Sequence, residues 1–203
     1  MTRRHSILTA LLAGAPASLV RAEATNEVAE TPWELSPLGG FEFRSVYDHA
    51  SGTADSFLRV GGKEQLWIRA DDMNERSYRP EIHVSPDERF AFLVQVAGST
   101  KTGAYLYELD PKTRQATKLH ALFDKTRAEA CRFHGIEDHF HHFDLRFLTW
   151  SIASDAALFS ATGSAAPQPG MGPMVFTVTT ADGKVAAAKD FEEHNRGTMS
   201  PRR

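Results

Sequence analysis

The chain has 203 residues, a net charge of −3 at neutral pH and 41% hydrophobic residues. This length suits one domain with its own core, and the slight acidity provides no electrostatic attraction to nucleic acid or to an anionic lipid surface. Only one cysteine is present, Cys131, so an intrachain disulfide is excluded. The stability of the fold must therefore come from packing and hydrogen bonding.

Residues 1–24 have the organisation of a bacterial signal peptide. Arg3 and Arg4 precede an apolar stretch, which ends in small residues before Ala24. The apolar stretch contains a glycine and a proline and is too short to span a bilayer as a helix. We therefore predict a periplasmic or secreted protein with no membrane span. The paired arginines favour twin-arginine export, with the general secretory route as the alternative.

The rest of the chain divides into three segments. Residues 25–38 are polar and contain two prolines, which predicts a linker. Residues 39–193 alternate between apolar runs and turn residues, which predicts a single β-rich domain. Residues 194–203 are polar, which predicts a flexible tail.

The domain begins with short strands. Residues 41–47 alternate in polarity, so that aromatic side chains share one face of the predicted strand. The runs 56–60 and 65–69 predict a hairpin around a Gly-Gly turn.

The clearest feature of the sequence is an antiparallel meander. Residues 90–96, 105–109 and 115–119 are rich in β-forming residues and are separated by polar turns. Phe92 and Val94 lie on the same face of the first of these strands. We predict that this face forms the core.

A helical pattern follows the meander. Asp124 is the predicted N-cap, and Gly135 stands where a left-handed C-terminal residue belongs. The sequence as a whole thus predicts a mainly β protein with one short helix near 124–134. Its antiparallel meanders would form a twisted sheet, a sandwich or a partial propeller.

The turn before the meander returns later in the chain. Ser85-Pro86-Asp87-Glu88 precedes one apolar strand, and Ser151 begins a similar but weaker pattern. On these residues, segment 81–119 resembles the blade repeat of TolB-type β-propellers, and segment 150–180 resembles it more weakly. The sequence departs from that repeat at Glu88, where such blades usually carry glycine. The resemblance implies a propeller-like fold, although a closed propeller needs at least four blades.

The chain also resembles uncharacterised exported bacterial proteins. The shared features are an S-P-D-E turn, a helix and a later strand that ends in Trp150-Ser151. This resemblance implies no activity.

A histidine-rich loop at 134–144 offers the ligand types that zinc and copper prefer. The candidate metal ligands are His139, His141, Asp138, His134 and His142. The first two share a face of an extended backbone, but no H-E-x-x-H or C-x-x-C spacing supports them. The alternative interpretation is a polar loop whose Phe140 and Phe143 pack into the core.

The motifs of common enzyme classes are missing from the sequence. There is no G-x-S-x-G, no phosphate-binding loop and no dinucleotide-binding motif. Cys131 is predicted to be a buried apolar residue. The leading hypothesis is therefore a non-catalytic exported protein that binds a ligand or another envelope protein. The alternative is a metal-binding protein or metalloenzyme that uses the histidine-rich loop.

Overall fold

A computed structural model of the protein describes residues 28–68, 80–97, 101–110, 112–113, 115–165 and 168–199. Thirteen strands and two α-helices lie in these residues, and the strands form two sheets. The prediction of a mainly β protein built from antiparallel meanders is confirmed. The predicted signal peptide lies outside the described residues. None of the helices that the structure describes is long and apolar enough to cross a membrane.

The strands fall into three consecutive groups, which we call units 1, 2 and 3. Unit 1 contains β1 (Val28–Glu30), β2 (Glu34–Leu35), β3 (Glu42–Asp48), β4 (Thr53–Val60) and β5 (Lys63–Ile68). Unit 2 contains β6 (Glu81–Val84), β7 (Phe90–Ala97), β8 (Lys101–Asp110) and β9 (Gln115–Ala121). Unit 3 contains β10 (His142–Trp150), β11 (Ala156–Ala165), β12 (Gln168–Thr179) and β13 (Val185–Ala187).

The first helix, α1 (Phe123–His134), connects unit 2 to unit 3. A 3-10 turn (Lys189–Phe191) and α2 (Glu192–Arg196) follow unit 3. All strand pairs within a unit are antiparallel. Unit 1 is a five-stranded sheet, whereas units 2 and 3 share one eight-stranded sheet in which β8 and β10 pair in parallel.

The same turn precedes a strand in every unit. It lies at 36–41 (turn 1), 85–90 (turn 2) and 151–156 (turn 3). In each turn the serine N–H donates to the carbonyl oxygen five residues later, and the serine Oγ accepts from the N–H of that same residue. The fourth residue has a positive φ in all three turns: Gly39 (77°), Glu88 (58°) and Ser154 (59°).

Turn 1 was not recognised in the sequence. The predicted repeat of Ser85 and Ser151 is present, but residues 28–38, predicted as a linker, instead form β1, β2 and the start of turn 1. The signal was Ser36 followed by proline, as at Ser85, and then by a strand. The polar composition of this segment predicted a linker instead, because β1 and β2 are short edge strands with mostly exposed side chains.

Unit 2 is covered on both faces. Phe92 and Val94 of β7 belong to a core cluster shared with unit 3, which confirms the predicted core face. Ala91 and Leu93 of the same strand belong to a second cluster, which is shared with unit 1 and includes Leu58. The prediction of a single core face was incomplete, because a strand between two other units is buried on both sides.

The start of α1 differs from the prediction. The helix begins at Phe123, and the N-cap is Leu122, without a side-chain hydrogen bond, rather than Asp124. Leu122 is fully buried, and its N–H donates to the carbonyl of Ala104 at 2.8 Å. Tertiary packing therefore sets the helix start. The C-cap is Gly135 with φ 64°, as predicted.

The predicted flexible tail begins inside a helix, so the prediction is wrong for residues 194–199. Asn195 of α2 is fully buried, and its side chain bonds both the N–H and the carbonyl of Val175 at 2.8 Å. The Val175 carbonyl also accepts from the N–H of Ala188 at 3.0 Å. Asn195 therefore adds a second donor to this carbonyl and provides an acceptor for the Val175 N–H.

Candidate functional site

A crevice of about 430 Å³ lies between units 1 and 2. One wall consists of Glu34 from β2 with Phe43 and Arg44 from β3, and the facing wall includes Glu81 and His83 from β6. The walls are far apart in sequence. Their approach depends on the packing of unit 1 against unit 2, so the crevice is a property of the tertiary structure.

The imidazole of His83 is held in place from two sides. Its ring stacks on Phe147 of unit 3 with 4.1 Å between ring centroids and 13° between ring planes. The backbone carbonyl of His83 accepts a hydrogen bond of 3.2 Å from the indole N–H of Trp150. A stacked ring and a bonded backbone leave the imidazole little freedom. His83 therefore forms a rigid part of the wall.

At neutral pH the His83 imidazole is uncharged. Burial lowers the pKa of His83, and the nearby Glu81 carboxylate opposes this shift only in part. Nε2 lies 3.6 Å from Glu81 Oε2, which is too long for a hydrogen bond. This nitrogen has no hydrogen-bond partner among the residues that the structure describes. The nitrogen is enclosed, and in the tautomer with the proton on Nδ1 it can accept a hydrogen bond.

The guanidinium of Arg44 is already compensated by carboxylates. Nη1 lies 2.5 Å from Glu30 and Nη2 lies 3.0 Å from Glu64. The ring of Trp33 covers the guanidinium at 4.8 Å. Arg44 therefore adds no net positive charge to the crevice.

Carboxylates predominate among the described residues of the crevice. Glu34 and Glu81 line it directly, and Arg44, the one cation among its described lining residues, is paired with two further carboxylates. A cleft with low-dielectric walls concentrates the field of such groups. The arrangement favours a ligand that carries a positive charge and a hydrogen-bond donor.

The structure does not gather the five predicted metal ligands into one site. Asp138 forms an ion pair of 2.6 Å with Arg127, His139 lies 3.6 Å from Glu137, and His134 bonds Thr198 Oγ1 at 3.2 Å. No group of three His, Cys, Asp or Glu side chains suited to a metal ion occurs in the part of the chain that the structure describes. The remaining two predicted ligands are exposed: His142 is the first residue of β10, and His141 directly precedes that strand.

The histidine-rich loop is fixed to the fold by its aromatic residues. Phe140 and Phe143 are buried and 5.3 Å apart, as the alternative interpretation of this loop predicts. Arg127 of α1 donates to the carbonyl of Phe140 at 2.6 Å and binds Asp138 as well. The loop is thus anchored by packing and by one arginine.

The only thiol of the protein is protected. Cys131 of α1 is buried in the larger core cluster, as predicted. Burial raises the pKa of the Cys131 thiol, and the carboxylate of Asp138 raises it further. A buried thiol of high pKa is a poor nucleophile.

The crevice residues carried no recognisable signal in the sequence. Glu81 and His83 occur in a short, half-exposed strand, and Arg44 occurs in an ordinary alternating strand. The one clue was the pair of ionisable residues two positions apart in β6, which places them on the same face. Without the packing of the units, that pair cannot be told from an exposed surface.

The chain matches no protein-family model and no curated protein. It is similar in structure to TolB from Acinetobacter baumannii, with 12% identity, 79% of this chain and 32% of that chain covered, and a TM-score of 0.39. TolB-type repeats are those that segments 81–119 and 150–180 resemble.

Two further similar structures carry lactonase names. A putative 6-phosphogluconolactonase from Bacteroides uniformis shows 16% identity over 77% of this chain and 38% of that chain, with a TM-score of 0.40. The periplasmic gluconolactonase PpgL from Pseudomonas aeruginosa shows 15% identity over the same shares, with a TM-score of 0.39. The chain spans about a third of the length of these solved structures.

Proposed function

We propose that this chain is an exported binding protein of the bacterial cell envelope, and that it holds a small cationic ligand in the crevice between units 1 and 2. The observation that supports the proposal best is the Glu81 carboxylate in the crevice beside the neutral Nε2 of His83, which has no hydrogen-bond partner among the described residues. The buried thiol of Cys131 and the absence of common catalytic motifs from the sequence favour binding over catalysis.

An amine is the ligand chemistry that suits these groups. An ammonium group donates several hydrogen bonds, so it can bond the Glu81 carboxylate and the Nε2 of His83 together. The aliphatic part of such a ligand would lie against Phe43 and Ile82, which also line the crevice. An anionic ligand would meet repulsion from the Glu81 carboxylate.

The binding experiment uses spermidine as the cationic probe and acetate as the anionic comparison. We expect saturable calorimetric binding of spermidine that weakens with added salt, and no binding of acetate. Glu81→Gln should lower the affinity about fivefold, since one partly exposed charge contact is worth roughly 1 kcal/mol. The control is Glu193→Gln on α2, which removes the same charge at an exposed position outside the crevice. Equal effects of the two substitutions would contradict the proposal.

Export is tested separately by intact-mass measurement of periplasmic material. The charge and apolar order of residues 1–24 predicts trimming near Ala22 or Ala24. Full-length protein confined to the cytoplasm would contradict export. Replacing Arg3 and Arg4 with lysine should block export on the twin-arginine route and leave general secretion unaffected.

The alternative function, a metal-binding protein or metalloenzyme centred on residues 134–144, stays a prediction. It requires His139 and His141 to recruit further ligands from Asp138, His134 or His142. A zinc and copper titration, set out in the Discussion, tests it.

A further inference from the structure

Strand β6 is an edge strand of the eight-stranded sheet. It pairs with β7 on one side, and no described strand pairs with its other side. An unpaired strand edge presents a row of backbone N–H and C=O groups that an extended chain can bond. The surroundings of this edge therefore decide whether a ligand can use it.

The free edge of β6 borders the crevice between units 1 and 2. Residues 81–83 all line that crevice, although successive side chains of a strand point to opposite faces of the sheet. A space that contacts consecutive residues of a strand meets the strand at its backbone edge rather than at one face. The crevice is thus bounded by the backbone of β6 as well as by side chains.

The register shows which backbone groups point away from β7. The Ser85 N–H donates to the Phe90 carbonyl at 2.8 Å, and the pairing of β6 with β7 continues from this pair. In an antiparallel ladder, pairs that exchange hydrogen bonds alternate with pairs that do not. His83 and Phe92 therefore form a hydrogen-bonded pair, whereas Ile82 directs its N–H and C=O to the free edge. No other described residue bonds these two groups.

The facing wall of the crevice does not offer an edge of this kind. Residues 44–45 of β3 lie between the part of that strand that pairs with β2 and the part that pairs with β1. The Ser45 N–H donates to Thr31 Oγ1, and the Ser45 carbonyl accepts from the Thr31 N–H, both at 2.9 Å. Because the backbone groups of Ser45 are occupied, β6 is the wall that can bond an extended chain.

The edge of β6 is fixed before a ligand arrives. The ring of His83 stacks on Phe147, and its backbone carbonyl accepts from the indole of Trp150. A fixed edge loses little conformational freedom on binding, which favours affinity. The crevice volume of about 430 Å³ also lies within the usual range for ligand pockets, roughly 300–1,000 Å³. Space and rigidity both suit a short extended segment.

We infer that the crevice binds a short extended peptide that adds a strand to β6 and carries lysine or arginine. The inference rests on the proposed function, and it assigns the cationic group of the ligand to a peptide side chain. One peptide residue exchanges two hydrogen bonds with Ile82, as in other cases of strand addition.

The two faces of β6 define the side chains of this peptide. The residue opposite Ile82 shares its face, where Ile82 packs against the apolar cluster shared with unit 1, so an apolar side chain suits this position. The neighbouring peptide residues point to the other face, where Glu81 lies. A basic side chain at one of these positions meets the Glu81 carboxylate. The expected pattern is therefore basic, apolar, basic.

The first experiment compares methylated peptides. The probe is acetyl-Ser-Lys-Val-Lys-Ser-amide, in which valine is the residue expected to bond Ile82. Methylation of the valine nitrogen removes the donor to the Ile82 carbonyl and should weaken binding about tenfold by calorimetry. Methylation of the following lysine nitrogen is the matched control, because that N–H points away from β6. Equal affinities of the two methylated peptides would overturn the inference.

The second experiment removes the donor from the protein. The Ile82 N–H bonds no residue of β7, and proline is tolerated in edge strands at such positions. We expect Ile82→Pro to bind the peptide about tenfold more weakly and to bind spermidine like the wild type, since spermidine has no peptide backbone. Ile82→Val keeps the N–H and should bind both ligands like the wild type. If Ile82→Pro loses its cooperative melting transition, the methylated peptides decide the question.

Amide hydrogen exchange reports on the same contact directly. The Ile82 amide should become protected when the peptide binds, whereas spermidine should leave its exchange unchanged. Binding of the peptide without protection of this amide would overturn the inference.

The outcomes separate this inference from the proposed function. Binding of spermidine without binding of the peptide would overturn the inference and leave the cationic site in place. Absence of binding by both ligands would contradict the inference and the proposed function together. Self-association of the wild type that Ile82→Pro abolishes in sedimentation analysis would show that a second copy occupies the edge, and it would overturn the inference as well.

Discussion

Unit 2 contacts its two neighbours through different chemistry. Towards unit 3 it shares a cluster of seventeen buried residues, in which Phe92, Phe159 and Phe176 pack within 6 Å of one another in succession. Towards unit 1 it shares a smaller cluster, with seven buried members among the residues that the structure describes. The smaller apolar junction has the stronger polar link, because Glu88 accepts from three donors there.

The polar link is correspondingly weak where the apolar junction is large. The hydroxyl of Ser154 accepts from one backbone N–H of turn 2, and it also helps to keep Asp87 ionised. Burial alone would raise the pKa of Asp87, but hydrogen bonds from Arg89, Ser85 and Ser154 lower it to about 2. Both junctions therefore bind a turn of the preceding unit, through the Glu88 carboxylate where the apolar cluster is smaller and through the Ser154 hydroxyl where it is larger.

The largest expected effect lies in the aromatic junction. Phe92→Ala should lower the free energy of unfolding by roughly 3–5 kcal/mol, because it opens a cavity among fully buried side chains. Tyr47→Ala is the control, since Tyr47 is only half-buried, and its loss should be smaller. Urea denaturation measures both. Equal, small losses would show that the aromatic cluster does not hold units 2 and 3 together.

The second effect lies in the polar link to unit 1. Glu88→Gln keeps one acceptor oxygen but turns an amide N–H₂ towards a backbone donor, so we expect a loss of about 1.5–3 kcal/mol. The matched change, Ser154→Ala, removes one neutral hydrogen bond and should cost about 1 kcal/mol. A larger loss for Ser154→Ala than for Glu88→Gln in the same urea series would reverse the comparison.

A substitution at Gly40, in turn 1, tests the same contact with Glu88 independently. A Cβ at Gly40 would collide with Glu88 Oε2, so Gly40→Ala should destabilise the wild type. In a Glu88→Gly background the obstacle is gone, and the same change should cost little. Additive losses in the double-mutant cycle would mean that these two residues do not interact.

Lowering the pH should have a smaller effect on the stability of the fold. Burial lowers the pKa of His83 in the folded state, so the unfolded chain binds the proton more readily. The stability contributed by neutral His83 is complete above the unfolded pKa of about 6.5 and is lost as the pH falls below it. We expect His83→Gln to flatten the fall in melting temperature between pH 7 and pH 5. His120 and His134, whose pKa values burial also lowers, should leave a residual slope.

Asp87 acts in a separate pH window. Its folded pKa of about 2 lies below the usual value, so its contribution is present at neutral pH and is lost only as the pH falls from about 4 towards 2. Asp87→Asn should therefore change acid unfolding below pH 4 without altering the slope between pH 7 and pH 5. A change confined to the higher window would contradict the assignment of the two groups.

The smallest effect is expected from metals. We expect zinc and copper to leave the melting temperature unchanged, because the predicted ligands in the loop are not gathered into one site. A metal that did bind would stabilise the fold by about 2.7 kcal/mol at a hundredfold excess over its Kd. A rise that disappears in the His139→Ala, His141→Ala double variant would establish the metal site. The double variant without metal should match the wild type within a few tenths of a kcal/mol.

Local chemistry was readable from the sequence. Alternation, turn residues and β-forming runs predicted the strands from 90 to 119, and a glycine predicted the end of α1 at Gly135. The serine of the turn was visible in two units, because its role is to bond the backbone within six residues. Patterns of this range depend only on nearby residues, and a sequence contains them in full.

Tertiary structure decided everything that depends on which surfaces meet. The sequence assigned one core face to β7, but the sheets on either side bury Leu93 as completely as Phe92. Glu88 stands where the TolB-type repeat usually has glycine, and the sequence alone gives no reason for it. The structure shows that the Glu88 carboxylate accepts hydrogen bonds from three donors of turn 1. The crevice beside His83 and the burial of Asn195 against Val175 arise in the same way. Each is produced by contacts between residues distant in the chain, and such contacts leave no periodic trace in the sequence.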